Sequence, residues 1–116
     1  MSEYADDYTL AGLIKLNDFL DSKEKWTKNC LARTAYGNGV LADSQEAVSW
    51  CLSGANYKTM ANVGAYLNKR LTDFGWEDHA VTVFNDHDDT TFEHIKLFLG
   101  YCIDYRKWEL EVEASS

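Results

Sequence analysis

The feature that most constrains the fold of this chain is one long helical pattern towards its C-terminal end. The run Thr90-Thr91-Phe92-Glu93 matches a capping box, with Thr90 as the N-cap and Glu93 reaching back to it. It predicts a helix over residues 91–110, and that helix has two apolar faces. One face carries Phe92, Ile95, Leu99, Cys102, Ile103 and Leu110, and the other carries Leu97, Tyr101, Tyr105 and Trp108. A chain of 116 residues has few other elements with which to cover both faces.

The aromatic face of this helix admits two interpretations. In the first interpretation, the first helix and the loop around Trp26 cover this face, and the long helix is the central helix of a bundle. Alternatively, Tyr101, Tyr105 and Trp108 form an exposed patch that binds a protein partner or a second copy of the chain, because such residues are typical interface anchors. The sequence leaves both open.

The remaining segments predict a mostly helical domain. Apolar spacing predicts a first helix over residues 9–21 and a second that begins at Asp43 or Ser44 and carries Cys51 about two turns inside it. A third helix over residues 62–74 has a weaker pattern. The turn signal Gly37-Asn38-Gly39 predicts a hairpin with arms 31–36 and 40–42. Residues 80–84 form a strand or an extended loop, and residues 85–89 a polar loop.

The expected fold is therefore all-α or mostly α: a compact bundle of three to four helices with one short hairpin or loop insertion. It forms a single domain over residues 1–116, with frayed ends at 1–8 and 112–116.

Charge and composition exclude several classes of function. The net charge of −8 disfavours nucleic-acid binding, which needs clustered Lys and Arg. No apolar run approaches the roughly 20 residues of a membrane helix, and the acidic start lacks the pattern of a signal peptide, so we expect a cytoplasmic protein. The three Cys lack disulfide or zinc spacing, His79 is isolated, and a calcium-loop template beginning at Asp86 fails at Leu97. No metal or cofactor is predicted.

A set of short motifs resembles a known family. The set comprises Trp26, the run Leu31-Ala32-Arg33, Gly37, the run at 44–55 that contains Trp50-Cys51-Leu52-Ser53-Gly54-Ala55, and Phe84-Asn85-Asp86. It is similar to small bacterial and phage proteins known only as a domain of unknown function, with Ala-Arg, Trp-Cys-x-x-Gly-Ala and Trp-Asn-Asp motifs. The resemblance covers about residues 10–99. Gln45 stands where the family has Pro, and Phe84 where it has Trp. The resemblance implies no activity.

The candidate binding residues come from the matched segments: Arg33, Asn85 and Asp86, beside Trp26 and Trp50. A guanidinium and a carboxylate can form two charge-assisted hydrogen bonds, so we expect Arg33 and Asp86 to interact directly or through a shared backbone group. Such a pair joins two loops or binds a ligand, and we favour the structural role. Cys51, on an apolar stripe, is expected to be a small buried hydrophobe rather than a nucleophile.

The sequence thus predicts a small cytosolic binding or interaction protein of bacterial or phage origin without evident catalytic activity. It would bind a protein partner or associate with itself. The alternative is a small enzyme or small-ligand binder that uses Arg33, Asn85 and Asp86 beside Trp26 and Trp50.

Overall fold

The computed structural model describes residues 7–77 and 80–115, and these residues form an α+β fold. The elements in chain order are α1 (Tyr8–Phe19), a 3-10 turn (Lys23–Lys25), β1 (Ala32–Thr34), β2 (Gly39–Val40), β3 (Ala47–Trp50), α2 (Leu52–Thr59), α3 (Gly64–Thr72), α4 (Val81–Asp86) and α5 (Phe92–Ser115). The expected all-α bundle of three to four helices is wrong, because the described residues combine five helices with a three-stranded antiparallel sheet.

The sheet has the strand order β2-β1-β3, with both outer strands antiparallel to β1. Ala32 lies opposite Val40 on one side and Trp50 on the other. The predicted hairpin is confirmed: β1 and β2 are joined through a turn in which Gly37 has a φ of 86°. That value lies in the left-handed region, which glycine adopts without steric cost.

The second helix begins later than predicted, because β3 and a cap occupy the first part of that segment. Val48 and Trp50 are residue types that favour strands, and their segment pairs with β1. Ser44 binds the N–H of Glu46 within a turn instead of starting a helix (3.2 Å). Cys51 has an extended backbone and is the N-cap of α2, with its Sγ accepting from the N–H of Gly54 at 3.2 Å. The prediction that Cys51 lies inside the helix is wrong.

Two further segments differ from the prediction. Residues 81–86 are the helix α4 rather than a strand or loop, so Asn85 and Asp86 lie in its last turn and not in a polar loop. The long helix α5 continues to Ser115, beyond the predicted end at residue 110. The weakly patterned third helix is present as α3.

The core lies between α1, α2, α3 and the inner face of α5. Its largest fully buried side chains are Leu13, Leu16, Leu20, Leu52, Leu67, Leu71, Ile95, Leu99 and Cys102. The ammonium of Lys96 on α5 donates to the carbonyls of Asn17 (2.6 Å) and Leu20 (2.9 Å), which a helix C-terminus leaves without intrahelical partners. One face of α5 is thereby fixed against α1.

Candidate functional site

Asn85 is the centre of the cluster that the candidate binding residues form. The side chain is fully buried at the end of α4. Its Oδ1 accepts from the indole Nε1 of Trp26 (2.7 Å) and the N–H of Leu52 (3.0 Å). Its Nδ2 donates to the carbonyl of Thr27 (3.0 Å) and to Asp86 Oδ1 (2.9 Å). An amide side chain offers two acceptor and two donor sites, and all four are used.

Arg33 and Asp86 bind opposite ends of one peptide group. Nη2 of Arg33 donates to the carbonyl of Lys28 at 2.9 Å, and Asp86 Oδ1 accepts from the N–H of Asn29 at 2.8 Å. This carbonyl and this N–H belong to the amide that joins Lys28 to Asn29. The predicted interaction of Arg33 with Asp86 is therefore confirmed in its second form, through a shared backbone group.

The peptide group bound in this way precedes a residue with unusual backbone geometry. Asn29 has a φ of 70°, in the left-handed region where Asn is several-fold enriched over most residues. The other donors of Arg33 bind Thr27 Oγ1 (2.8 Å) and the carbonyl of Gly37 (2.9 Å). The guanidinium thus attaches the 27–29 segment to the β1–β2 hairpin, while Asp86 attaches it to α4.

The two tryptophans place their indole N–H groups on internal acceptors. Trp50 is buried and donates to the carbonyl of Ala42 (2.8 Å), with its ring against that of Phe19 at 4.8 Å between centroids. Trp26 donates to Asn85 and forms an isolated parallel bridge with Trp50. The structure therefore brings together all five predicted binding residues, here called the Asn85 cluster. The indole N–H groups and the amide of this cluster are engaged within the protein.

Gly54 of the Trp-Cys-x-x-Gly-Ala run permits a close approach beside this cluster. An added Cβ would lie 2.0 Å from the carbonyl oxygen of Leu31, which is a backbone atom that cannot rotate away. The same segment donates the N–H of Cys51 to that carbonyl (3.2 Å). Glycine is therefore required for α2 to pack against the chain entering the sheet.

Cys51 lies in an environment that disfavours the thiolate. The side chain is buried, and burial raises the pKa of its thiol, an effect that the N–H of Gly54 opposes only in part. Reactive thiols need a depressed pKa and solvent access. The buried position that we predicted is confirmed.

The outer face of α5 carries exposed aromatic and aliphatic side chains. Leu97 is 71% exposed and Trp108 is 55% exposed, while Tyr101 is half-buried between them. Together with Val112 these residues lie within about 60° of arc at 100° per residue. We call Leu97, Tyr101, Trp108 and Val112 the aromatic stripe. Tyr105 is half-buried at its edge, with its ring over the guanidinium of Arg70 (4.0 Å).

Ring contacts connect this stripe to the interior. A continuous chain of neighbouring rings with centroids 4.8–6.5 Å apart runs in the order His87, Trp76, Phe84, Phe98, Phe74, Tyr101, Tyr105 and Trp108. The interpretation in which α1 covers the aromatic face does not hold, because Leu97 and Trp108 are exposed. The C-terminal end of α3 covers it in part, through Phe74 and Arg70.

A cavity of about 280 Å³ opens beside the stripe, between α4, α5 and the chain that follows α3. Its lining residues are Leu71, Phe74, Trp76, Phe84, His94, Leu97, Phe98 and Tyr101. Leu71, Phe84 and Phe98 are buried and form its floor, while Phe74, His94 and Leu97 are exposed and form its mouth. The cavity is predominantly apolar, as small-ligand and side-chain pockets are.

Two arginines that the sequence analysis did not single out organise the rest of α5. Arg106 forms a two-bond fork with Asp7, at 3.0 Å from Nε and 2.7 Å from Nη2. These bonds lower the pKa of the Asp7 carboxyl, which also caps α1 by accepting from the N–H of Leu10 (2.8 Å). Arg70 is buried between the rings of Tyr66 (5.3 Å) and Tyr105 (4.0 Å). The sequence held one indication of a structural role for Arg106, because this residue falls on the predicted core face of α5, where a charge needs a partner.

The described residues contain neither a group of possible metal ligands nor a helix that could cross a membrane. Within residues 7–77 and 80–115, no three His, Cys, Asp or Glu side chains are grouped so that they could bind a metal ion. His79 lies outside the described residues. Among the helices of those same ranges, none combines the length and the apolar character that a bilayer crossing needs.

Comparisons of the chain with protein-family models, with curated proteins and with solved structures gave no match. The resemblance to small bacterial and phage proteins therefore stays a prediction.

Proposed function

We propose that this protein is a non-catalytic binding module that takes a positively charged, amphipathic segment of another protein along the aromatic stripe of α5. The observation that carries the proposal is the exposure of Leu97 and Trp108 on one row of a well-packed helix. Exposed apolar patches on small domains mark interaction sites, and Trp and Tyr are enriched among the anchors of such sites. From Leu97 to Val112 the row is about 22 Å long, the length of roughly four turns of a partner helix.

The chemistry of the partner follows from charge. Glu93 and Asp104 are exposed and lie within about 40° of Leu97 around α5, so carboxylates border the stripe on one side. The whole chain carries a net charge of −8. A cationic segment meets a complementary field, whereas a second copy of the chain or a nucleic acid brings like charge to this face.

The Asn85 cluster is the less suitable site, because its indole N–H and amide groups bind other parts of the protein. A ligand that used Arg33 or Asn85 would have to displace those hydrogen bonds, each of which replaces water at a part-buried or buried position. We therefore propose the interaction role rather than the enzyme or small-ligand role. The proposal includes the origin and location that the sequence predicts, a bacterial or phage accessory protein in the cytoplasm.

The test uses synthetic peptides of about 16 residues, long enough to cover the stripe as a helix. A Leu/Lys amphipathic peptide is compared with a Leu/Glu peptide of the same pattern and with a scrambled Leu/Lys peptide, by fluorescence anisotropy of a label on the peptide. We expect the Leu/Lys helix alone to bind, with an affinity that falls as salt is added.

Matched variants locate the binding. Leu97→Glu and Trp108→Glu should abolish it, whereas Tyr36→Glu, at a tyrosine that is 93% exposed on the β1–β2 turn, should leave it unchanged. Equal binding of the Leu/Lys and Leu/Glu peptides, or equal loss in the Tyr36 variant, contradicts the proposal. A stable dimer of the free protein that dissociates in the Trp108 variant would instead identify a second copy as the occupant.

A further inference from the structure

We propose that the cavity between α4, α5 and the chain after α3 is the anchor pocket of this surface and takes one large aromatic side chain of the bound segment. This inference rests on the proposed function for the source of the aromatic group. The site itself is defined by its own residues: a floor of Leu71, Phe84 and Phe98 and a mouth of Phe74, His94 and Leu97.

Size and lining select the occupant. An apolar cavity of about 150 Å³ is large enough to bind benzene, so about 280 Å³ has room for an indole or a phenol with its methylene group. Rings line several sides, and aromatic groups in such surroundings adopt the edge-to-face contacts already present between Phe84 and Phe98 (5.3 Å). A Lys or Arg head group would lose its hydration there without a carboxylate in the lining.

The polar atoms of the mouth give the occupant its orientation. The hydroxyl of Tyr101 donates to Asp73 Oδ2 at 2.9 Å and is thereby engaged. Nδ1 of His94 accepts from the N–H of Thr91 at 3.1 Å, so Nε2 is the ring nitrogen that can donate. Because His94 lines the cavity, its Nε2–H can donate to a backbone carbonyl of the segment that bears the aromatic side chain.

Because the cavity is continuous with the aromatic stripe, we expect the aromatic group that enters it to be a side chain of the bound segment. Leu97 and Tyr101 belong both to the stripe and to the cavity lining. A helix lying along the stripe therefore passes over the mouth and can project one side chain into it. The carboxylate of Glu93 lies one turn before Leu97 on α5, so a Lys or Arg next to the aromatic residue meets the acidic border.

The experiment separates the pocket from the stripe. Two Leu/Lys peptides differ only at one central position, which carries Trp in one and Ala in the other. On the wild-type protein we expect the Trp peptide to bind at least tenfold more tightly. Phe74→Ala removes a wall of the cavity at a side chain that is 57% exposed, and it should abolish this preference while leaving the Ala peptide bound. Trp108→Ala lies outside the cavity and should weaken both peptides equally, preserving the ratio.

A second probe, 5-fluoroindole followed by fluorine NMR, tests the cavity without any peptide. Its signal should shift with the wild-type and Trp108→Ala proteins but not with Phe74→Ala. If the Phe74 variant fails to fold, Leu97→Ala takes its place, and again no shift is expected. Peptide binding without a Trp preference overturns the anchor pocket and leaves the proposed function standing. Binding of 5-fluoroindole when no peptide binds overturns the proposed function and with it the partner side chain, and identifies a site for free aromatic molecules.

Discussion

Replacing Asn85 with Ala is expected to lower the free energy of unfolding by about 4 kcal/mol. The variant loses four hydrogen bonds. The N–H of Leu52 is buried and is left without a partner, which costs about 1–3 kcal/mol. The other three partners are part-buried, so water can replace part of each bond, and each loss is about 0.5–1 kcal/mol. These terms sum to about 2.5–6 kcal/mol, a large share of the stability of a small domain.

Urea denaturation followed by far-ultraviolet circular dichroism measures this loss. The matched control is Asn38→Ala, at an exposed asparagine whose hydrogen bonds to Thr34 come from its backbone, and its effect should stay within about 0.5 kcal/mol. A loss of less than about 1 kcal/mol in the Asn85 variant would refute the reasoning, because it would mean that water satisfies all four partners.

Three further predictions concern other parts of the fold. Gly54→Ala should lower the free energy of unfolding by about 3 kcal/mol, because its Cβ meets a backbone oxygen at 2.0 Å. Gly100→Ala, where a Cβ meets nothing within 4 Å, should raise it by about 0.5–1 kcal/mol. Equal melting temperatures of the two variants would contradict this. Asp7→Asn should lose about 2 kcal/mol at pH 7. Arg106 lowers the pKa of Asp7, so this stabilisation is present above the unfolded value near 4 and is lost as pH falls through the folded pKa. Wild type and variant should therefore converge in acid urea titrations, and a constant difference would exclude the ion pair. Cys51 should react with a thiol reagent at neutral pH only on unfolding, since its pKa is raised by burial. Rapid labelling of Cys51 itself in the native protein would revive a reactive role.

The sequence predicted the elements whose patterns are long or whose turn chemistry is specific. The first helix, the hairpin at Gly37 and the long C-terminal helix follow from apolar spacing, a turn signal and a capping box. The segment around β3 was misread because Val48, Cys51, Leu52 and Ala55 have helical spacing although residues 47–50 pair with β1. Its conformation depends on a distant strand and on Cys51 as a cap, which local periodicity does not contain.

The cluster of site residues was predicted better than its chemistry. Trp26, Arg33, Trp50, Asn85 and Asp86 do lie together, around the side chain of Asn85 and the peptide group that joins Lys28 to Asn29. Most of their partners are backbone groups, three of them in residues 27–29, and the sequence does not indicate which backbone groups these are. The Asp7–Arg106 pair joins positions 99 residues apart, and only the placement of an arginine on a core face could have indicated it.

The motif residues and the proposed binding surface do different work in this fold, and the difference is physical. Side chains such as Asn85 fix the 27–29 segment against α2 and α4. A partner that bound their polar atoms would first have to break the existing hydrogen bonds, so the net gain in free energy would be small. Leu97, Trp108 and Val112 are exposed and lie outside the buried core, so they contribute little to folding and keep about half or more of their surface available for binding. Substituting these three residues together should therefore change what the protein binds while the sheet, the Asn85 cluster and the packing of α1 on α5 persist.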